Sequence, residues 1–233
     1  MQRRTFLASL PALAALTLPT MAMAEEELSD QLTAEQIVQM VHRSRIQIPL
    51  MPAELRKGKL SVPFQIEVKG TDLIRFHFTS PAQTINLDLT EKGSRLREVT
   101  AGSNKDVPAT RYAEGVRGTD LNYDDISMRY LYWPNKTKIG NETIKTRRCF
   151  VVDLKNPQEL GDYYLVRIFV DRSSGALMRI QSYDWSGKLI KVCAVTSGQK
   201  VNEVTILKTM EVTKFKPGTK HVESVTILEL KKA

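Results

Sequence analysis

The chain has 233 residues, 42% of them hydrophobic, two cysteines, three histidines and a formal net charge of +8. That length suits one sizeable domain, and beyond the first two dozen residues no apolar run approaches the roughly 20 residues that a membrane-spanning helix requires. The cysteines and histidines are too few and too scattered for a Cys/His metal set.

The chain opens "MQRRTFLASLPALAALTLPTMAMAEEE". Two arginines, a moderately apolar run and the small-x-small site Ala22-Met23-Ala24 are the parts of a cleaved export signal. Arg3-Arg4-Thr5-Phe6-Leu7 fits the twin-arginine type, although Ala8 stands where a lysine is common. Residues 1–24 are therefore expected to be a signal peptide cleaved after Ala24, and residues 25–233 a single periplasmic domain. Loss of the two arginines lowers the charge from +8 to +6. That surplus serves solubility first; in an exported protein it favours anionic lipid headgroups or acidic proteins over nucleic acid.

"LTAEQIVQMVHRSR" predicts one amphipathic helix over residues 33–45. Thr33 and Gln36 form a capping box, and Ile37, Met40 and Val41 make an apolar stripe that needs a surface to cover. Arg43 and Arg45 suit the negative end of the helix dipole, and Pro49 bars its continuation. From residue 62 the period changes to two: Phe64, Ile66 and Val68, then Ile74, Phe76 and Phe78, then Ile85, Leu87 and Leu89 alternate with polar residues. Such strands belong to an antiparallel sheet with one covered face. A shorter strand follows near 94–99, and the aperiodic residues 100–118 read as a surface loop. "GTDLNYDDI" reads as one short helical turn, followed by strands near 127–133, 137–155, 163–171, 176–184, 188–197, 200–215 and 220–231. There is no domain linker and no internal repeat.

In the compartment that the leader implies, a single Cys149–Cys193 disulfide is the default. The strand assignment opposes it: the two cysteines fall three strands apart, roughly 14 Å at the spacing of neighbouring strands, whereas a bridge needs Cα atoms within about 7 Å. Two separate buried thiols are expected. His42, His77 and His221 are each isolated from any partner at ligand spacing. Asp120, Asp124 and Asp125 suit acid/base work by type, but carboxylates beside a short helix more often cap its free donors. The serines lack a nucleophile-elbow setting, so a hydrolase has neither nucleophile nor metal. Trp133 and Trp185 are candidates for a rim.

What such a sheet can do is hold something apolar. Its inward aliphatics are core formers first, yet one short helix covers only part of so wide a sheet, and the uncovered remainder offers a ligand cavity.

"GTDLNYDDIS", Cys149 in "KTRRCFVVDLKNP", "YYLVRIFVDRSSGALMRIQSYDWSGKLIKV" and "KTMEVTKF" together resemble the LolA-like outer-membrane lipoprotein-sorting proteins. The likeness runs over roughly residues 30–231 and is densest from Gly118 to Val192. Gly118, Asp120, Tyr123 and Asp125, then Val170-Asp171, Tyr183-Asp184 and Gly187-Lys188, recur in that family's order. The resemblance implies a mainly β protein with few helices (α+β). The barrel would be strongly curved, incomplete and antiparallel, of roughly ten to eleven strands, covered by the N-terminal amphipathic helix. It also implies a monomeric, non-enzymatic carrier without cofactor or metal. Acyl chains of lipoproteins or other lipids would lie on Phe64, Ile66, Val68, Ile74, Phe76, Phe78, Ile85, Leu87 and Leu89, with Ile37, Met40 and Val41 in a lid helix. Its partners would be the inner- and outer-membrane lipoprotein machinery. The chain departs from the best-known carriers in having one long helix at the mouth instead of several, and none of its arginines can be matched to the carriers' cavity arginine. The alternative is an envelope interaction or lipid-sensing module that does not transport.

Overall fold

The computed structural model describes residues 30–201 and 204–232. The chain divides into two compact units, 1–32 and 33–233, and the second carries the sheet. The predicted signal peptide lies outside the described residues.

Thirteen strands form one antiparallel sheet: β1 (Ile48–Lys57), β2 (Leu60–Lys69), β3 (Leu73–Thr79), β4 (Ala82–Leu89), β5 (Ser94–Thr100), β6 (Ser103–Asp106), β7 (Asn135–Ile144), β8 (Arg147–Lys155), β9 (Leu165–Asp171), β10 (Leu177–Tyr183), β11 (Leu189–Val201), β12 (Val204–Phe215) and β13 (Val222–Leu230). Their order, β6-β5-β4-β3-β2-β1-β13-β12-β11-β10-β9-β8-β7, does not close on itself. The architecture is thus the expected curved, incomplete barrel, with a few more strands than expected. Helix α1 (Ala34–Arg43) precedes the sheet, and α2 (Tyr123–Ser127) sits in the long connection between β6 and β7.

Three departures have local causes. β1 has no counterpart in the sequence assignment, which begins the strands at residue 62, and its Pro49 and Pro52 argue against a central strand. The structure tolerates them: the register slips between Ile48 and Met51, and pairing with β13 begins only at Ala53. The strand expected at 127–133 is instead the end of α2 and a 3-10 turn, Arg129–Tyr132. A capping box between Asn122 and Asp125 starts the helix, Met128 leaves it in the left-handed region at φ 51°, and Arg129 is drawn back onto Asp124. The single strand expected over 137–155 is two, because the chain reverses at Lys145, which takes φ 56° without the glycine or asparagine that would have marked a turn.

Alternation in β8 to β10 divides two apolar faces. Val152, Ile168 and Ile180 pair in a row that continues through Cys193 to Val212 on the inner face. Cys149, Val151 and Phe169 point the other way and form a small outer cluster with Ile144 and Met178. Cys149 on β8 and Cys193 on β11 are both free and buried, three strands apart. Burial raises the Cys149 thiol to about 11.

Helix α1 keeps its predicted cap, with Gln36 N–H donating to Thr33 Oγ1 and Thr33 N–H to Gln36 Oε1. It packs against β7 and β8, at the opposite end of the strand order from β2–β4. Ile37, Val38 and Val41 are buried and Met40 is half-buried.

Candidate functional site

The nine predicted cavity residues fall on one face, in register. Phe64 stands opposite Phe78, Ile66 opposite Phe76 and Val68 opposite Ile74; Phe76 then meets Ile85, and Ile74 meets Leu87. The row of Phe64 continues to Ala53 and on to Leu230. The Phe64 and Phe78 rings stack at 5.3 Å, and Phe76 lies 6.2 Å from Phe64.

Burial separates these nine. Phe64, Val68, Phe78, Ile85, Leu87 and Leu89 are buried, whereas Ile66, Ile74 and Phe76 are only half-buried although they point inward. Ile46, Ile48, Met128, Tyr132, Ile180 and Met210 share that condition and pack on the same core. A side chain on the concave face that keeps part of its surface open is not fully covered by protein. Together these residues leave part of the inward apolar face uncovered, beside the six buried positions. Sequence reasoning missed Ile180 and Met210, which sit in alternating strands like the others; what marks them is incomplete burial, which alternation does not reveal.

Strand direction distinguishes the two ends of the sheet. At one end lie the turns β2–β3, β4–β5, β7–β8, β9–β10 and β11–β12 together with the start of β1. The end of α1 reaches this mouth: Ser44 Oγ donates to the Gly175 carbonyl in the β9–β10 turn, and Arg45 Nη1 donates to the Thr71 carbonyl in the β2–β3 turn. Gly175 is needed there, because a Cβ would come within 2.7 Å of the Met40 carbonyl oxygen. A cleft of about 490 Å³ separates α1 from the β2–β3 and β4–β5 turns, lined by Gln39, His42, Arg45, Asp72, Leu89 and Glu91 among others.

His42 packs its ring 5.0 Å from Tyr132 and touches the Arg45 guanidinium. Burial, and then Arg45, push its imidazole down to about 4, with smaller effects from Glu35, which opposes the shift, and Lys136, which adds to it. The unfolded chain, with an ordinary histidine near 6.5, therefore binds a proton that the folded protein excludes. The stability that neutral His42 permits is complete above about pH 6.5 and is lost as pH falls towards 4. Thermal melts between these pH values should show a falling Tm, and His42→Gln should flatten the slope; an unchanged slope in the variant would place the acid sensitivity elsewhere.

The other end is closed by the connection between β6 and β7, held by buried ion pairs. Asp120 accepts from Thr226 Oγ1 at 2.9 Å, Ser224 Oγ at 2.8 Å and Lys57 Nζ at 2.7 Å. Burial pushes the Asp120 carboxyl up, but these hydrogen bonds outweigh it and hold the group below the usual range. Asp124 takes a bidentate grip from Arg129 at 2.6 and 2.8 Å, and here burial prevails and raises the carboxyl. Asp125 accepts from Lys191 Nζ at 2.7 Å and Tyr163 Oη at 2.7 Å while capping α2. The acidic cluster is thus engaged as a plug, each carboxylate facing a cation. Among the described residues no group of three or more His, Cys, Asp or Glu is placed to hold a metal ion, and no helix is long and apolar enough to cross a membrane. Trp133 is buried in the plug; Trp185, 41% exposed, donates to the Gly161 carbonyl at this closed end, away from the mouth.

A family model described as "-like: Uncharacterized protein" matches residues 101–233, more than half of the chain. No curated protein matches by sequence. Solved structures do match in fold. An outer membrane lipoprotein-sorting protein domain from Vibrio parahaemolyticus superposes with a TM-score of 0.66 at 14% identity, covering 88% of this chain and 92% of that one. A DUF1329 family protein from Desulfovibrio piger gives 0.65 at 13% identity, covering 85% and 90%. A LolA superfamily protein from Nitrosomonas europaea gives 0.61 at 14% identity, covering 86% and 92%. The chain belongs to the family of that matching model, and its fold is that of the LolA-like outer-membrane lipoprotein-sorting proteins.

Proposed function

We propose that this protein is a periplasmic, non-enzymatic carrier that holds the acyl chains of lipoproteins, or of another lipid, in an apolar hollow between β1–β4 and β10–β12. The observation that carries this reading is the set of inward-facing apolar side chains left half-buried, Ile66, Ile74 and Phe76 foremost. Apolar surface that folding leaves uncovered is available to a ligand, and each buried methylene contributes about 0.8 kcal/mol. Several methylenes of one chain outweigh the ordering cost. The LolA-like fold and the predicted leader agree with carriage between the inner- and outer-membrane lipoprotein machinery.

In this reading α1 is a lid. Its buried residues Ile37, Val38 and Val41 rest on β7 and β8 rather than on the floor of the hollow, and Met40 of the predicted stripe is half-buried, so cargo would not displace them directly. Opening would instead release the two contacts at its C-terminal end, those of Ser44 with Gly175 and Arg45 with Thr71.

The test is mass spectrometry of the gently purified protein, joined to hydrogen exchange with and without an acyl probe. Bound lipid should be recovered, and amides 40–46 should lose protection on binding while those of β8 keep theirs. A protein that carries no lipid, binds no acyl probe and co-purifies with a stoichiometric protein partner would instead be an envelope interaction module.

A further inference from the structure

The sheet splits at its mouth end. Pairing between β10 and β11 runs from Tyr183↔Leu189 to Arg179↔Ala194, yet β11 continues beside β12 to Val201↔Val204. Pairing of β12 with β13 ends likewise at Thr209↔Glu229. Two successive irregularities, at Val195/Ser197 and Ser197/Gly198, turn the end of the β11–β12 hairpin away from β10. The hairpin's two tip residues lie outside the described ones.

Where the strands part, a groove of about 630 Å³ remains, within the range of small-molecule sites. Its walls are mostly apolar: Leu177 and Met178 on one side, Val195, Ile206 and Leu207 on the other. Met178 packs on the outer cluster, whereas Ile206 and Leu207 pack on the inner core, so the groove reaches from one face of the sheet towards the other. Lys145 and Arg147, both exposed, stand at its lip. Arg147 reaches Asp171 only at 3.8 Å, and Lys145 donates to the Thr196 carbonyl, leaving two of its three donors.

We propose that this lateral groove is a second binding site, which takes one acyl chain of an anionic amphiphile with its charged head against Lys145 and Arg147. The apolar walls match the chain and the cationic lip matches the head. An extended peptide fits less well, because a strand added to the free edge of β11 would find the Thr196 carbonyl already engaged by Lys145. The site does not overlap the floor of the hollow, so it stands or falls separately from the proposed carriage.

The test uses the delipidated full-length protein, titrated with a fluorescent fatty acid and with its methyl ester. Two acid sites are expected. Leu177→Asp, or Ala176→Trp, which fills the groove by bulk, should remove one and leave the other; Phe76→Asp should do the reverse. Lys145→Glu with Arg147→Glu should weaken the acid at the groove about tenfold without changing the ester. Unaltered stoichiometry in both folded groove variants overturns the proposal, as does equal loss of acid and ester in the lip variant. Protection of amides 196–199 by an unacylated peptide that displaces the probe also overturns it, by making the groove a strand-docking site.

Discussion

Asp125→Ala is expected to destabilise the protein by about 3–5 kcal/mol, the cost of leaving a buried ion without its partner. Lys191 is 5% exposed on the inner face of β11, and its ammonium rests on Asp125 and on the Tyr163 hydroxyl, at 2.7 and 2.8 Å. The same carboxylate accepts the Asn122 N–H that opens α2, so its loss also removes a cap. Lys214, the direct cross-strand neighbour of Lys191, adds a repulsion that Asp125 offsets at Lys191 and Glu223, 3.3 Å from the Lys214 ammonium, offsets at Lys214. Urea denaturation should show a lower midpoint with an unchanged slope. Adding Lys191→Met should recover much of the loss, because it removes the stranded charge; a double variant no more stable than Asp125→Ala would mean that the capping role dominates.

Phe76→Asp is expected to lower acyl-probe affinity by about 30- to 100-fold, equivalent to roughly 2–3 kcal/mol, while the protein stays folded. Phe64→Asp should unfold it. The two aromatics differ by one step along the same sheet face, but Phe64 is 4% exposed and Phe76 half-buried. An aspartate at the second site still reaches water in the empty protein, and it becomes costly only when a chain covers it. Circular dichroism and equilibrium binding on both variants provide the comparison. If Phe76→Asp unfolds as readily as Phe64→Asp, the floor is core and the hollow does not exist.

Much of this was legible in the residue order, and the reasons are local. Alternation in 64–68, 74–78 and 85–89 is set by the period of an extended chain, and a slip of one residue would turn every aliphatic outward; the structure keeps all nine on one face. The Thr33–Gln36 box involves neighbours three residues apart and needs no distant partner. The family pattern from Gly118 to Val192 was likewise readable, because its polar residues are there to meet fixed partners: Asp120 to Thr226 and Asp125 to Lys191.

What alternation leaves undetermined is how far each inward residue is covered, since that depends on where distant segments come to rest. Long-range packing is what sets α1 on β7 and β8 and not on β2–β4, plugs one end with the 107–134 connection, and parts β10 from β11 at the other. β1 was hidden for the same reason: two prolines read locally as a break, and only the bulge and the late pairing with β13 make room for them. Residue order alone sets which side chains face inward, because backbone geometry repeats every two residues. Which of them stay open to a ligand was decided by contacts between segments as far apart as Arg45 and Thr71, or Asp120 and Thr226, which no local period encodes.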